Sequence, residues 1–430
     1  MTTTLRISRD WVYALSFGLF GLALRLWNLD SPKGKIFDEI YYATNAESLL
    51  QKGVEIDSES GLAQFIVHPP TGKWLIASGI KLFGNNEFGW RFAAAIVGSI
   101  SIILMYFTAK KLFNNKLLSV FAASLISLDG LHLVHSRIAL LDIFLLFFIQ
   151  IAVLAFLHCK YWISALTLGL ACSVKWSGLY VLIALAFYVL ILDIRKNRYL
   201  GLQFPIREMA RRNLLFRFLQ FGIFPVFIYI ASWFSWFITN TGWDRNYSSN
   251  PLFSLWHYHS EILNFHTKLT DAHPYSANPW SWLIQGRPTS FFYETPKSCG
   301  GASCSQEILA LGTPILWWAA TLALLLTIGY WVSKRDWQAE NLLVVIGASY
   351  LPWFAIQERT MFSFYAIAFE PFLLLTLVYL LSKVPKNQRR IALIFTAIVL
   401  VNFLYFLPIF LGLPITYNSW SDRMWFPSWI

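Results

Sequence analysis

Twelve residues of this 430-residue chain set a charge or an imidazole beside long apolar sequence: Asp38, Glu39, His68, Arg91, Asp129, Arg137, Asp142, Lys175, Arg287, Glu294, Arg359 and Glu370. An ionisable group in such surroundings is costly unless it is paired or put to use, so these positions mark candidate sites. Adjacent Asp38 and Glu39 offer a carboxylate for general-base work, which needs an acceptor within hydrogen-bond reach of the proton to be removed. Arg91, Arg137, Lys175 and Arg359 offer cations that neutralise an anion such as phosphate, the guanidinium in bidentate geometry. Carboxylate and cations together are equipment for group transfer from a phosphorylated lipid.

Each residue also has a plain structural reading. An Asp-Glu pair is commonly a solvated helix cap, and a two-residue motif is a weak signal. Arg137 and Asp142 are five apart, so they do not share a helix face, and each can pair with another helix. His132 and His135, with Asp129 nearby, offer metal ligands, although hydrogen bonds to backbone or headgroups are the commoner fate of interfacial histidines. Arg25, near the end of the first apolar block, is expected to snorkel to the membrane surface. Cys299 and Cys304 in CGGASC form a C-x4-C pair with no nearby His, a poor zinc pattern and a disulfide candidate if their loop faces an oxidising compartment.

The elements that must position these residues are membrane helices. Hydrophobic residues make up 57% of the chain and charged residues 13%, and the apolar residues fall in long blocks. A crossing of the roughly 30 Å hydrocarbon layer takes about 20 apolar residues. About eleven blocks pass or nearly pass: 11–29, 89–109, 116–130, 137–157, 160–175, 177–193, 218–238, 308–332, 341–356, 361–381 and 390–410, the third and fifth being short. With the N-terminus inside, the cytoplasmic pieces, among them Arg6, Arg9 and the basic loop 194–217, hold 19 of the 34 basic residues and five of the 23 acidic ones. That asymmetry satisfies the positive-inside rule. The net charge of +11 therefore reports topology and contact with anionic lipid, and nucleic acid is not an expected partner.

On this topology two long loops, 30–88 and 239–307, face outside. The first is helix-capable from Asp38 to Lys52, with apolar and polar residues spaced for an interfacial helix. The second is rich in aromatic residues between Trp256 and Trp282, which suits the headgroup zone. No repeat or hinge divides the chain, so residues 1–430 read as one all-α membrane domain.

Nine segments in order then carry a resemblance: FDEIYY (Phe37–Tyr42), HPPTGKW (His68–Trp74), WRFAAAIVG (Trp90–Gly98), DGLHLVHSRIALLDIFLLFF (Asp129–Phe148), SVKWSGLY (Ser173–Tyr180), HPYSANPWSW (His273–Trp282), RPTSFFYE (Arg287–Glu294), CSQEILALGTPILWW (Cys304–Trp318) and ERTMFSFYAIAFEPFLLL (Glu358–Leu375). The chain resembles the protein O-mannosyltransferases of glycosyltransferase family 39, GT-C type enzymes that use polyprenyl- or dolichyl-phosphate-mannose. The resemblance implies a GT-C fold of about eleven transmembrane helices, with Asp38 as the catalytic residue, Glu39 supporting acceptor binding or geometry, and Arg91 functionally important. It departs from eukaryotic members in lacking a β-trefoil MIR domain in the second loop, which makes it a bacterial-type member. Ala366 stands where a His is expected after Tyr365.

The expected reaction is a single inverting displacement in which a Ser or Thr hydroxyl of a secreted or membrane protein attacks the mannose anomeric carbon. Asp38 takes the proton, and Arg91, with His68, Arg137, Asp142, Lys175 and Arg359, holds the donor phosphate and sugar. Arg287 and Glu294 are expected to support the acceptor or the loops. The partners are then polyprenyl-phosphate-mannose, the protein acceptor and the bilayer, with the site on the extracytoplasmic side of the inner (plasma) membrane. No cofactor is certain; a divalent metal held by Asp38 with Asp142 or by the His132 region is an open alternative. Rival readings are a GT-C transferase moving aminoarabinose or another sugar to a lipid, and a non-enzymatic transporter or lipid-binding protein.

Overall fold

The computed structural model describes residues 9–57 and 59–430; Arg6 lies outside the described residues. Helices occupy every apolar block. In chain order the first nine are α1 (Arg9–Leu26), α2 (Glu39–Lys52), α3 (Thr71–Phe83), α4 (Glu87–Phe113), α5 (Lys116–Ser127), α6 (Gly130–His135), α7 (Asp142–Leu157), α8 (Tyr161–Cys172) and α9 (Gly178–Tyr199). Local chemistry sets their ends. The Asn86 side chain accepts from the Gly89 N–H at 2.9 Å to open α4, and Asn114 closes it in the left-handed region, as expected of caps. Pro205, Pro251 and Pro314 each open a later helix, where a missing N–H costs nothing.

Six helices among the described residues are long and apolar enough to cross a membrane: Glu87–Phe113, Gly178–Tyr199, Pro205–Ser232, Pro314–Lys334, Trp337–Ile356 and Gln388–Leu411. Helices α5, α7 and α8 are apolar but shorter. The chain bends between them at Asp129 and again over 136–141, so polar groups enter the bundle between short helices.

Two expectations are corrected. The fold is mostly helical but not all-α: β1 (Thr289–Glu294) pairs antiparallel with β2 (Cys304–Ala310), with a bulge between Ser290 and Phe292, and β2 pairs with β3 (Ile415–Thr416). The apolar run from residue 308 therefore begins as strand. Helix starts only at Pro314, because a proline disfavours helical backbone in the residue before it. Arg25 does not snorkel. It is fully buried, donating to the Gly21 carbonyl at 3.0 Å and bonded to His132 Nδ1 at 2.7 Å. A Cβ at Gly98 would collide with the Ser136 side chain and sit 3.1 Å from the Arg25 Nε, so the glycine leaves room for both.

The two long loops meet at one end of the bundle. Val54 and Ile66 of the first pack with Leu255, Tyr258 and Ile262 of the helix Pro251–Lys268 and with Trp233 and Trp236. The second loop is tied to 360–361 by backbone bonds from Ala277 N to Met361 O (2.8 Å) and from Thr360 N to Leu269 O (3.0 Å). Cys299 and Cys304 are joined by a disulfide across the β1–β2 turn.

Candidate active site

Asp38 stands at the start of α2, in αR backbone conformation and with no capping hydrogen bond from its side chain. It follows Phe37, whose φ of 46° turns the chain and whose ring stacks on Phe291 of β1 at 4.5 Å. Glu39, the next residue, is turned into the bundle. Its carboxylate is fully buried and accepts from Arg91 Nε and Nη2, both at 2.8 Å. It also accepts from the backbone N–H groups of Ala139 (2.9 Å) and Ile36 (3.1 Å).

Arg91 spends all five N–H groups on protein: two on Glu39, and the rest on the carbonyls of Leu29 (3.2 Å), Pro32 (2.9 Å) and Gly34 (3.1 Å). Arg137 likewise gathers the carbonyls of Leu24, Arg25, Trp27 and Asn28 at 2.7–3.2 Å, closing the C-terminal end of α1, where a cation is favoured. Both guanidiniums are buried and committed to backbone. In this arrangement they shape the segment that carries Asp38, and Arg91 has no N–H group left for a phosphate.

Other cations are placed differently. A cavity of about 680 Å³ at the loop end is lined by His68, Asp142, Lys175, His266, Arg359 and Tyr365, with Trp176, Trp353, Phe354 and Ile356 on its apolar walls. Lys175 Nζ bonds both Asp142 oxygens at 3.0 Å and lies over the Tyr365 ring at 4.9 Å. Arg359 donates one Nη2 bond, to His266 Nδ1 at 3.3 Å; its other N–H groups find no protein acceptor among the described residues. His266 Nε2 donates to the Val67 carbonyl at 3.0 Å, which fixes the neutral tautomer. Burial and the Arg359 guanidinium push this imidazole down to about 4.

His68 stacks near His266, ring centroids 5.5 Å apart. Burial, followed by Lys175 and the other nearby cationic groups, holds it well below the ordinary imidazole range, so it is a neutral hydrogen-bonding group. Asp38 lies within electrostatic reach of Lys175 and Asp142. Burial pushes its carboxyl up to about 6, Asp142 adding to the rise while Lys175 and the Tyr42 hydroxyl oppose it. Asp38 does not itself line the cavity, but Lys175 and Asp142, which influence its charge, do; a carboxylate so placed is suited to take a proton from a hydroxyl.

The remaining expected residues lie elsewhere. Arg287 donates to the carbonyls of Pro274, Ser428 and Ile430, and Glu294 is exposed at the end of β1; neither lines the cavity. Ala366 is fully buried, and its neighbour Tyr365 reaches the cavity instead. The residues named for a divalent metal do not fit one. Both Asp142 oxygens are taken by Lys175, His132 is engaged by Arg25 and by Ser101 at 3.1 Å, and no group of three metal-ligating side chains gathers among the described residues. Residue reading gave no role to His266, Trp176 or Tyr365, although Trp176 and Tyr365 lie within segments that carry the resemblance and His266 lies in the aromatic-rich second loop.

Comparison with known proteins agrees with this architecture. Residues 15–238 match the family described as dolichyl-phosphate-mannose-protein mannosyltransferase, and residues 251–429 match the C-terminal four TMM region of protein-O-mannosyltransferase. The polyprenol-phosphate-mannose–protein mannosyltransferase of Mycolicibacterium smegmatis is 34% identical over 98% of this chain and 93% of that protein. The protein of the same name from Corynebacterium glutamicum is 29% identical over 96% and 92%. Among solved structures, the S. cerevisiae Pmt1-Pmt2 complex bound to the sugar donor superposes with a TM-score of 0.81 at 15% identity, over 99% of this chain and 93% of that one. ArnT from Cupriavidus metallidurans bound to undecaprenyl phosphate superposes at 0.60 and 16%, over 91% and 64%. The fold is thus of the GT-C type, and the chain belongs to the dolichyl-phosphate-mannose-protein mannosyltransferase family.

Proposed function

We propose that this chain transfers mannose from polyprenyl-phosphate-mannose to Ser or Thr hydroxyls of proteins, in one inverting displacement at the extracytoplasmic face of the plasma membrane. The observation that carries this reading is the buried Asp38 carboxyl within electrostatic reach of Lys175 and Asp142, two residues that line a cavity combining cations with apolar walls. The acceptor hydroxyl gives its proton to the Asp38 carboxylate as its oxygen bonds to the anomeric carbon. The bond from that carbon to the phosphate oxygen breaks, and polyprenyl phosphate leaves as a stable anion, so no general acid is needed. Arg359, with its unspent N–H groups, and Lys175 face the phosphate, where charge-assisted bonds strengthen as charge develops.

Glu39, Arg91 and Arg137 are positioning residues in this account: they hold the segment from Leu24 to Glu39 and so aim Asp38. His68 contributes a neutral hydrogen bond. The eleven helical blocks act as eleven crossings, with the basic segments on the cytoplasmic side. The lipid tail enters between helices along the apolar wall. The test is incubation of the purified protein with polyprenyl-phosphate-mannose, labelled in the sugar, and a Ser/Thr peptide. Label on the peptide hydroxyl with release of polyprenyl phosphate is expected. Label appearing only on a lipid acceptor, or no transfer, overturns the proposal.

A further inference from the structure

Trp176 is a half-buried aromatic side chain on the cavity wall, next in sequence to Lys175. Its indole N–H is turned away from the cavity and donates to the Tyr229 hydroxyl at 2.9 Å. The Tyr229 hydroxyl bonds His259 Nε2 at 2.7 Å, and His259 Nδ1 reaches the Leu255 carbonyl at 2.7 Å. The Leu255 carbonyl can only accept, so His259 carries its proton on Nδ1 and Nε2 is an acceptor. Tyr229 must then donate to His259 and accept from Trp176. Every donor in the chain has one acceptor, and the order runs one way: indole to phenol to imidazole to backbone.

The same elements fix the ring plane. Trp176 lies against His259 with centroids 5.9 Å apart and planes 23° apart, and His266 flanks it at 5.9 Å and 56°. With its one polar atom satisfied behind it and imidazoles against it, the remaining π-surface is left to the cavity. That surface adjoins the cluster of Lys175, His266 and Arg359, where a phosphate would sit. A ring held in this way is complementary to the C–H face of a sugar attached to that phosphate.

The geometry points to Trp176 as the platform for the transferred sugar, with Tyr229 and His259 as positioning residues that set its plane. This inference rests on the proposed donor and adds which side chain reads the sugar. The test compares binding of two probes, polyprenyl phosphate and polyprenyl-phosphate-mannose, to the full chain in lipid nanodiscs. Wild type is expected to bind the mannosylated lipid more tightly. Trp176→Ala raises the Kd for the mannosylated lipid about tenfold, in line with a well-made aromatic contact, and leaves the bare lipid within about twofold. Trp176→Phe keeps most of the preference. Tyr229→Phe, which removes only the shared hydroxyl, raises the mannosylated Kd about threefold and leaves the bare lipid unchanged.

If Trp176→Ala weakens both lipids alike, or neither, the platform assignment is wrong. If Tyr229→Phe alters both lipids equally, the positioning role is wrong. A wild type that does not distinguish the two lipids sinks the donor assignment itself, and this inference with it.

Discussion

Replacing Arg91 with Lys separates two roles that the sequence leaves open, a ligand of the donor phosphate and a clamp on the segment before α2. Both the guanidinium and its Glu39 partner are essentially inaccessible, at 1% and 0% exposure. The guanidinium satisfies two carboxylate oxygens and three backbone carbonyls. A lysine ammonium keeps the charge but has three donors and no fork, so at least two of those acceptors lose their partner. At about 1–3 kcal/mol for each buried group left unpaired, the segment 29–39 is destabilised by about 2–6 kcal/mol.

Hydrogen exchange reads this directly. A local opening made easier by 2 kcal/mol lowers amide protection about thirtyfold, and the expected loss is confined to 29–39 and the first turn of α2. Transfer slows because Asp38 is no longer held, while the Kd for bare polyprenyl phosphate stays within about twofold. The reasoning fails if Arg91→Lys weakens polyprenyl phosphate tenfold or more while 29–39 keeps wild-type protection. Arg91 would then be a phosphate ligand after all.

Two further outcomes follow from the same geometry. Arg359→Gln removes the guanidinium with unspent donors, and is expected to raise the KM for the lipid donor about tenfold with a smaller change in kcat; an unchanged KM contradicts its assignment to the phosphate. The pH profile of kcat/KM is expected to show an acidic limb at about 6, the value to which burial raises Asp38. Asp38 must be ionised to accept the proton, so the rate is full above that limb and falls as pH drops through it. Lys175 opposes the rise, so Lys175→Gln should move the limb upward in whatever activity remains, and a downward move contradicts the placement.

Apolar length was enough to locate the helices, because it is a property of contiguous sequence. The helix expected from Asp38 to Lys52 is present as α2. Strand β2 was absorbed into a helical block because Ile308, Leu309 and Ala310 are as apolar as the helix that follows, and only Pro314 marks the boundary. The roles of Arg91 and Arg137 were not legible for a different reason. Apart from Glu39, which pairs with Arg91, their partners are carbonyls of residues 24–34, which have no side-chain signature and lie over 50 residues away in sequence. His266 was hidden for a related reason: it becomes a cavity residue only once the helix Pro251–Lys268 docks on Val67.

The central claim is that Asp38 removes the acceptor proton. Single-turnover transfer from bound polyprenyl-phosphate-mannose to a saturating Ser/Thr peptide tests it without interference from product release. For Asp38→Asn the account predicts a rate at least about 100-fold below wild type, the scale of a lost general base, with donor Kd changed by no more than about threefold. An Asp38→Asn protein that transfers mannose at near wild-type rate contradicts it.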